Sequence, residues 1–190
     1  MNIKELDSDI KKELRASMNG ILSARMREAG MPFRLIFGVE LPRLRSIADE
    51  FPPNAALANL LWNQNIRETK LLAIMLMPPE DFSPKMSEAW AESIVTAEEA
   101  QILAMMLLSK TEHAKDTSIT WLKEGKPLPS VCACLCLRHL LIQGLKLETK
   151  ETGIIEDCKT KLLPTANLHL RKAIQALTDT LYGEIVQNYS

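Results

Sequence analysis

The sequence predicts an all-α fold of stacked helical hairpins, an α–α solenoid of roughly ten helices in a single domain over residues 1–190. Aromatic residues make up 5% of the chain and glycine is scarce, with 7 residues, whereas helix-favouring residues abound. Aromatic and β-branched residues, which favour a pleated sheet, are scarce in this sequence. Helix starts and stops recur at short intervals, and the helix pairs that they define repeat about every 30–40 residues, as in helical arrays. This pattern favours HEAT-like or armadillo-like stacking over a closed bundle, which usually has fewer and longer helices.

Prolines, glycines and capping residues delimit the helices of the N-terminal half. A first helix is predicted over Asp9–Ala29, capped by Asp7 or Ser8 and ended by the turn at residues 30–32. An apolar connector follows over Phe33–Leu41. The next predicted helices are one that begins at Pro42, one capped by Asn54, and Arg67–Met77, which Pro78 ends.

The C-terminal half shows the same punctuation. Ser83 is a predicted cap, with Pro84 at the first helical position. Thr96 and Glu99 form a predicted capping box, in which the hydroxyl and the carboxylate reciprocally satisfy free backbone N–H groups. The helices predicted after Thr96 are one that reaches Ser109, Glu112–Glu124, an apolar helix capped by Ser130 after the Lys126–Pro129 loop, Thr152–Leu163 and Ala166–Gln187.

Charge is unevenly distributed in a chain whose formal net charge is only −1. Between residues 11 and 45 the basic residues outnumber the acidic ones by eight to three, which is compatible with a surface that faces phosphates. At a pI of 6.3, however, the whole chain is not a strongly basic nucleic-acid binder. The eight basic residues are Lys11, Lys12, Arg15, Arg25, Arg27, Arg34, Arg43 and Arg45.

Targeting signals are lacking in the sequence. The N-terminal segment is charged throughout and lacks the apolar core of a secretory signal. No apolar run approaches the ~18 residues needed to span a bilayer, so no membrane partner is expected. Four cysteines, three of them in the run VCACLCL, do not resemble a disulfide framework. These features predict a cytoplasmic protein.

The segment Gly38–Met77 carries a specific pattern. A Gly-Val-x-x-Pro-x-x-Arg stretch leads into one helix, and a Leu-Trp pair, a polar turn with a glutamate and a Leu-Leu-Ala-Ile helix follow. The pattern resembles the N-terminal hairpins of the DNA alkylation repair enzymes, the HEAT-like-repeat alkylpurine DNA glycosylases of AlkD type. The residues that carry the resemblance are Gly38, Val39, Pro42, Arg45, Leu61, Trp62, Glu68, Leu71, Leu72, Ala73 and Ile74.

The resemblance implies a function as well as a fold. Family members hold DNA in a concave basic groove and release positively charged alkylated purines. In such a site a carboxylate stabilises the oxocarbenium-like sugar as the glycosidic bond breaks, and orients a water. Tryptophan faces attract the cationic lesion, and an arginine binds phosphate. No cofactor is implied.

This chain departs from the family at each of the positions that carry this chemistry. The substitutions are Ala97 for a tryptophan, Glu98 and Gln101 for two aspartates, Ser130 and Val131 for an arginine pair, and Gln175 or Ala176 for a second tryptophan. A glutamine at position 101 cannot supply a negative charge. We therefore expect the glycosylase apparatus of the family to be lost or replaced.

Five residues are left as candidates for a role. Glu98 is the one weak catalytic candidate, although a first-turn acid favoured by the capping box and the helix dipole is the better interpretation. Arg43 and Arg45 are candidate DNA contacts within the basic segment. Arg171 and Lys172 match a basic pair near the last hairpin of the family, and for them phosphate contact and plain solvation stay open.

Other chemistry has little support in the sequence. On a helix, Cys132 and Cys136 share a face while Cys134 points elsewhere, so three thiolates cannot converge on one metal ion. Buried thiols that act as small hydrophobes are predicted instead, with a two-ligand fragment of Cys136 and His139 as the alternative. No glycine-rich phosphate loop occurs, so no nucleotide cofactor is expected.

The tryptophans and the remaining histidines have structural interpretations. Trp62, Trp90 and Trp121 are predicted to anchor hairpin interfaces rather than to stack on bases. His113 and His169 have no recognisable nucleophile nearby in the sequence, and a surface or capping role is predicted for each.

Three functional hypotheses follow. The first is a HEAT-repeat protein that binds duplex DNA with little or no base excision, because the N-terminal pattern and the basic segment are present. The second is a protein-interaction scaffold on the same solenoid, because the net charge is near zero and the chemical residues are missing. The third is an active alkylpurine DNA glycosylase with a rearranged site that uses Glu98.

Overall fold

Eleven α-helices and two short 3-10 helices make up the described part of this computed structural model, which is the backbone of residues 2–188 and the side chains of residues 2–183. Over those residues the only β-type pairing is an isolated bridge between Leu35 and Ile66. The all-α prediction is therefore confirmed. None of the described helices is long and apolar enough to cross a membrane.

The chain forms two compact units, unit 1 over Met1–Phe82 and unit 2 over Ser83–Ser190. The single domain expected over residues 1–190 stays a prediction. The helices of unit 1 are α1 (Ile3–Ala16), α2 (Gly20–Glu28), α3 (Leu41–Asp49), α4 (Ala55–Trp62) and α5 (Arg67–Leu76). Those of unit 2 are α6 (Pro84–Glu92), α7 (Ala97–Met106), α8 (Ala114–Glu124), α9 (Pro127–Ile142), α10 (Thr149–Leu162) and α11 (Leu168–Asn188).

Unit 1 is built around the α4–α5 pair. α3 packs on α5, and α1 packs on α4. Leu44 and Ile47 from α3, Leu57 and Leu61 from α4, and Leu71 from α5 are all fully buried. Burial stabilises the fold by roughly 1.5–3 kcal/mol for each such side chain, so the stripes of apolar residues at helical spacing account for this core.

Unit 2 is built around α9, which packs against α7, α8 and α11, while α10 packs on α8. α9 is mostly apolar, with Arg138 and His139 near its C-terminal end, and a helix of this kind packs against several others. Its Cys132, Cys134 and Cys136 are buried, as the sequence predicted. Trp90 on α6 and Trp121 on α8 are buried as well.

Local capping signals predicted several helix starts correctly. The side chain of Asn54 accepts a backbone N–H at 2.9 Å at the start of α4, and that of Ser83 accepts one at 3.3 Å at the start of α6. Thr96 and Glu99 form the predicted capping box at the start of α7. Apart from the two corrections below, the predicted boundaries after residue 30 differ from the observed ones by at most three residues.

The single helix predicted over Asp9–Ala29 is wrong, because the chain turns between α1 and α2. α1 begins earlier than predicted, with Asn2 as its cap. α2 is capped by Asn19, whose side chain accepts the backbone N–H of Leu22 at 3.0 Å. The backbone N–H of Asn19 donates to Phe37 O at 3.0 Å, so a distant segment satisfies a group that a continuous helix would have used.

The cap predicted at Ser130 is also wrong. α9 begins at Pro127, and Ser130 lies inside its first turn, fully buried, with Oγ donating to Trp121 O at 3.4 Å. Prolines are tolerated in the first turn because the N–H that they lack has no helical partner there. The segment Lys126–Pro129 is therefore helix start rather than loop.

Candidate nucleic-acid interface

A buried carboxylate fixes the connector between α2 and α3. Glu68, in the first turn of α5, accepts the backbone N–H groups of Phe37 at 3.0 Å, Gly38 at 2.9 Å and Val39 at 3.3 Å. Arg67 pairs with Glu68 at 2.9 Å and donates to Val39 O at 3.0 Å. Both charged side chains are almost fully buried. Glu68, Arg67 and residues 37–39 form what we call the Glu68 joint.

Gly38 is the residue of the joint that cannot be replaced by any other amino acid without strain. Its φ is +74°, in the left-handed region that favours glycine. A Cβ at this position would collide with Asn19 O and lie 2.6 Å from the backbone nitrogen of Ser23. The joint therefore explains why Gly38, Val39 and Glu68 occur together in the sequence pattern: they hold the connector against the start of α2.

Arg43, one of the predicted DNA contacts, is held by partners within unit 1. Its guanidinium lies 2.9 Å from Glu13, donates to Ser17 Oγ at 2.9 Å, and lies 3.5 Å from Glu50. Two carboxylates thus share its charge. Arg45 on the same helix is exposed and forms no ion pair with any described residue, so of the two it is the one available to a phosphate.

The remaining basic residues of the segment divide in the same way. Lys11 and Lys12 form ion pairs with carboxylates of α1, each at 2.8 Å. The others are exposed arginines without an ion pair to a described residue, although Arg27 donates to Ser23 Oγ at 2.6 Å. The surface charge left over is carried by Arg15, Arg25, Arg27, Arg34 and Arg45.

In unit 2, the structure places the family-equivalent positions on three helices. Val131 on α9 is 3% exposed, so the position expected to hold an arginine is part of the core. Ala97 on α7 is half-buried and Gln101 is exposed. Ala176 on α11 is half-buried, and the neighbouring Gln175 donates to Asp179 at 2.6 Å. None of these side chains offers a carboxylate or a cation.

Glu98 and Glu99 occupy the first turn of α7. Glu99 is fully buried, and its Oε2 accepts the backbone N–H groups of Val95 and Thr96, each at 2.8 Å. Glu98 is half-buried at the second position of the helix, where a negative charge interacts favourably with the helix dipole. This placement suits the first-turn interpretation of Glu98, and its catalytic role stays an untested prediction.

The basic pair on α11 is exposed. The Nε of Arg171 donates to Ala166 O at 2.9 Å, which satisfies one of its five donors. Lys172 forms no ion pair with any described residue. Both side chains can reach an anion in solution, and their role as DNA contacts stays a prediction.

The thiols of unit 2 are poor metal ligands. Burial raises the pKa of the Cys134 thiol to about 12 and that of the Cys136 thiol to about 11, and metals bind the thiolate rather than the thiol. His139 Nε2 lies 3.0 Å from Gln143 Nε2. Within the described residues no group of three or more His, Cys, Asp or Glu side chains is placed to hold a metal ion.

Sequence reasoning missed one exposed feature, the turn between α1 and α2. Met18 and Ile21 are 59% and 73% exposed there. Both fall inside the continuous helix that the sequence predicts over Asp9–Ala29, where neither has a special position. The Asn19-Gly20 pair, a common turn signal, was the indication that the chain bends at this point.

Comparison with known proteins assigns the chain to a family. No match was found among curated proteins. A solved structure described as "a new family of proteins related to the HEAT-like repeat DNA glycosylases with affinity for branched DNA structures" has a TM-score of 0.81 to this chain, with 17% identity, over 99% of this chain and 80% of that one. This likeness confirms the HEAT-like repeat fold. Residues 10–181 match the model of the family described as DNA alkylation repair enzyme, and the chain therefore belongs to that family.

Proposed function

We propose that the protein binds duplex DNA through the arginine surface of unit 1 and has little or no base-excision activity. The observation that carries the proposal is the set of exposed arginines in residues 11–45 that form no ion pair with a described residue. Arginines bind phosphate with two parallel hydrogen bonds, which suits them to a DNA backbone. We take Arg15, Arg25, Arg34 and Arg45 as the contacts.

Arg43 has a different part in this proposal. Its bonds to Glu13 and Ser17 tie α3 to the end of α1, so it positions the neighbouring arginines instead of contacting DNA. Because Glu13 and Glu50 offset its charge, Arg43 adds little to the positive potential of the surface. Arg171 and Lys172 of unit 2 are proposed as secondary phosphate contacts.

The absence of excision is supported by the residues at the family-equivalent positions. Release of an alkylated purine needs a carboxylate that stabilises the positive charge developing on the sugar, and aromatic faces that attract the cationic lesion. Val131 is buried and apolar, and Ala97, Gln101 and Ala176 carry no charge. Glu98 is the remaining ionisable group of the set, and a helix start already accounts for its position.

The related protein of known structure is described as having affinity for branched DNA. We extend this affinity to the present chain as part of the proposal. Branched DNA presents the same phosphates as a linear duplex, so the arginine surface serves both. A higher affinity for branched than for linear DNA requires a further part of the protein that contacts a structure found only at the branch point.

DNA binding is tested by fluorescence anisotropy with a labelled linear duplex over a range of salt concentrations. Arg25→Ala and Arg45→Ala are each expected to weaken binding several-fold and to reduce the slope of log affinity against log salt by about 1, because each removes one phosphate contact. Lys85→Ala, which removes an exposed charge from α6, is the matched control and should leave both quantities unchanged. If the wild-type protein shows no salt-sensitive binding at low salt, the proposal is wrong.

Excision is tested on duplex treated with a methylating agent. No alkylated purine should be released above a buffer control, by either the wild type or Glu98→Gln. Release by the wild type that Glu98→Gln abolishes would establish the rearranged glycosylase instead.

A further inference from the structure

The turn between α1 and α2 exposes an apolar pair that the fold does not use. Met18 and Ile21 are the two most exposed large apolar side chains of the described part of unit 1, at 59% and 73%. A single exposed apolar residue needs no explanation. Two of them only three residues apart, where α1 ends and α2 begins, are a candidate binding surface, because neighbouring exposed apolar side chains often mark one. We call residues 17–21 the corner.

The corner is rigidly held. Asn19 donates its backbone N–H to Phe37 O at 3.0 Å, and Ser17 Oγ accepts from the Arg43 side chain at 2.9 Å. Ser23 Oγ, just beyond the corner, donates to Ile36 O at 2.6 Å. These bonds attach the corner to the connector and to α3, so Met18 and Ile21 project from a fixed backbone. Little conformational entropy is lost when such a pre-organised group inserts into a partner.

Exposed arginines flank the corner along the chain, and the carboxylates of Glu13 and Glu50 close to it are paired with Arg43. Arg15 lies three residues before Met18 on α1, and Arg25 lies four residues after Ile21, on the same face of α2. Both arginines are exposed and form no ion pair with a described residue. The one acidic residue of α2, Glu28, is the last residue of the helix. An apolar tip between two arginines complements a partner that is apolar at its centre and negatively charged at its edges.

An opened base-pair face in DNA has that chemistry. In a linear duplex every interior base pair is covered by its neighbours, and phosphates flank the stack. At a branch point whose arms are not stacked on one another, the last base pair of an arm loses that cover. Minor-groove and architectural proteins insert Met, Ile or Leu side chains against unstacked bases in this way, with basic residues on the adjacent backbone.

We propose that the corner is an apolar wedge, in which Met18 and Ile21 pack on the exposed base pair at a DNA branch point while Arg15 and Arg25 bind the flanking phosphates. This inference rests on the proposed DNA binding, and deepens it by naming the residues that distinguish a branch from a linear duplex. The arginines supply affinity for both kinds of DNA. Met18 and Ile21 supply the additional affinity for a branch point over a linear duplex.

The test compares affinities for a four-way junction and for a linear duplex of the same sequence. The double variant Met18→Ala with Ile21→Ala is expected to lower the junction-to-duplex affinity ratio about tenfold and to leave duplex affinity nearly unchanged. Because both side chains are exposed, the substitutions should not affect folding, which circular dichroism verifies. Ile142→Ala, at a 58% exposed position on α9, is the matched control and should keep the ratio.

A second readout follows the base pair itself. With 2-aminopurine at the branch point, the wild type is expected to change the fluorescence of the probe on binding, and the double alanine variant is not. Met18→Leu with Ile21→Leu, which keeps apolar volume at the tip, should restore both the fluorescence change and the affinity ratio.

The outcomes separate this inference from the proposed function. No DNA binding by the wild type would overturn both. Binding of junction and duplex with equal affinity, or a ratio that the double variant retains, would overturn the wedge alone. A ratio that is retained while binding to vesicles of anionic phospholipid is lost would assign the corner to a membrane surface, which also overturns the wedge.

Discussion

Each unit of the molecule buries a glutamate that accepts backbone N–H groups, but the two glutamates bridge very different distances along the chain. Glu68 in unit 1 binds the N–H groups of residues 37–39, some thirty positions away. Glu99 in unit 2 binds those of Val95 and Thr96, four and three positions away. The first is a tertiary joint between two segments, and the second is a helix cap.

This difference indicates how much each unit can change while its fold is kept. In unit 1 the buried carboxylate of Glu68, its partner Arg67 and Gly38 depend on one another, so these three residues must be kept as a set. In unit 2 the described caps are local and the centre is the apolar helix α9, a kind of packing that tolerates substitution when volume and pattern are kept. Val131 at a family-equivalent position is accommodated there as one more core residue.

The strongest test of the comparison is Glu68→Gln. The substitution removes the negative charge and one of the two acceptor oxygens, while Arg67 stays buried. Breaking one partner of a buried ion pair is strongly destabilising, so the free energy of unfolding should fall by about 3–5 kcal/mol. Urea unfolding monitored by circular dichroism measures it.

Glu40→Gln is the matched control for this substitution. Glu40 is exposed at the start of α3, in the same unit, and its side chain makes no cap hydrogen bond. The change in the free energy of unfolding should stay within about 0.5 kcal/mol, as for ordinary surface positions. Equal effects of the two substitutions would mean that the Glu68 joint does not stabilise unit 1.

Two glycines with similar backbone angles allow a finer comparison of the units. Gly38 in unit 1 has φ +74° and Gly125 in unit 2 has φ +72°. A Cβ on Gly38 would meet backbone atoms of Asn19 and Ser23, whereas a Cβ on Gly125 would meet only the end of the Leu162 side chain, at 3.2 Å. The strain from φ is shared, but the collision with rigid backbone is not.

Gly125→Ala should therefore lower the free energy of unfolding by about 1–2 kcal/mol, the cost of left-handed backbone for a residue with a Cβ. Gly38→Ala should lower it by roughly 2–4 kcal/mol, because overpacking adds to the same strain. Thermal or urea unfolding of the two variants side by side measures the gap. A larger effect at Gly125 than at Gly38 would contradict the idea that the connector of unit 1 is the more constrained segment.

The same division between local and distant contacts decides what the sequence could predict. Asn54, Ser83 and the Thr96–Glu99 capping box were predicted correctly, because each acts on backbone groups within a few residues. The family pattern was also recognised from the sequence, and with it the fold.

The sequence did not predict the turn at Asn19. The backbone N–H of Asn19 donates to Phe37 O, which lies eighteen residues further along the chain. For the same reason the sequence predicts Arg43 as a DNA contact from its charge but does not predict its ion pair with Glu13; the DNA contact itself stays a prediction. In the candidate interface, the sequence could predict which residues are basic, but only tertiary structure decides which of those charges already have a partner.

The smallest expected effect concerns the ion pair between Lys115 on α8 and Glu151 on α10, which lie 2.6 Å apart at the surface of unit 2. The hydrogen bond from Lys115 lowers the pKa of the Glu151 carboxyl below its ordinary 4.5. The pair therefore stabilises the fold fully above pH 4.5, and this contribution is lost as the pH falls through the lowered pKa.

Glu151→Gln keeps an acceptor for the capping hydrogen bond to the backbone N–H of Glu148, so the substitution isolates the charge. Combined with Lys115→Met in a double-mutant cycle, it should give a coupling energy of about 0.2–1 kcal/mol at pH 7, because the Lys115 side chain is 34% exposed and water screens the pair. At pH 3 the coupling should be smaller. A coupling of several kcal/mol that persists at pH 3 would mean that unit 2, like unit 1, depends on a specific polar joint, and the contrast between the two units would not hold.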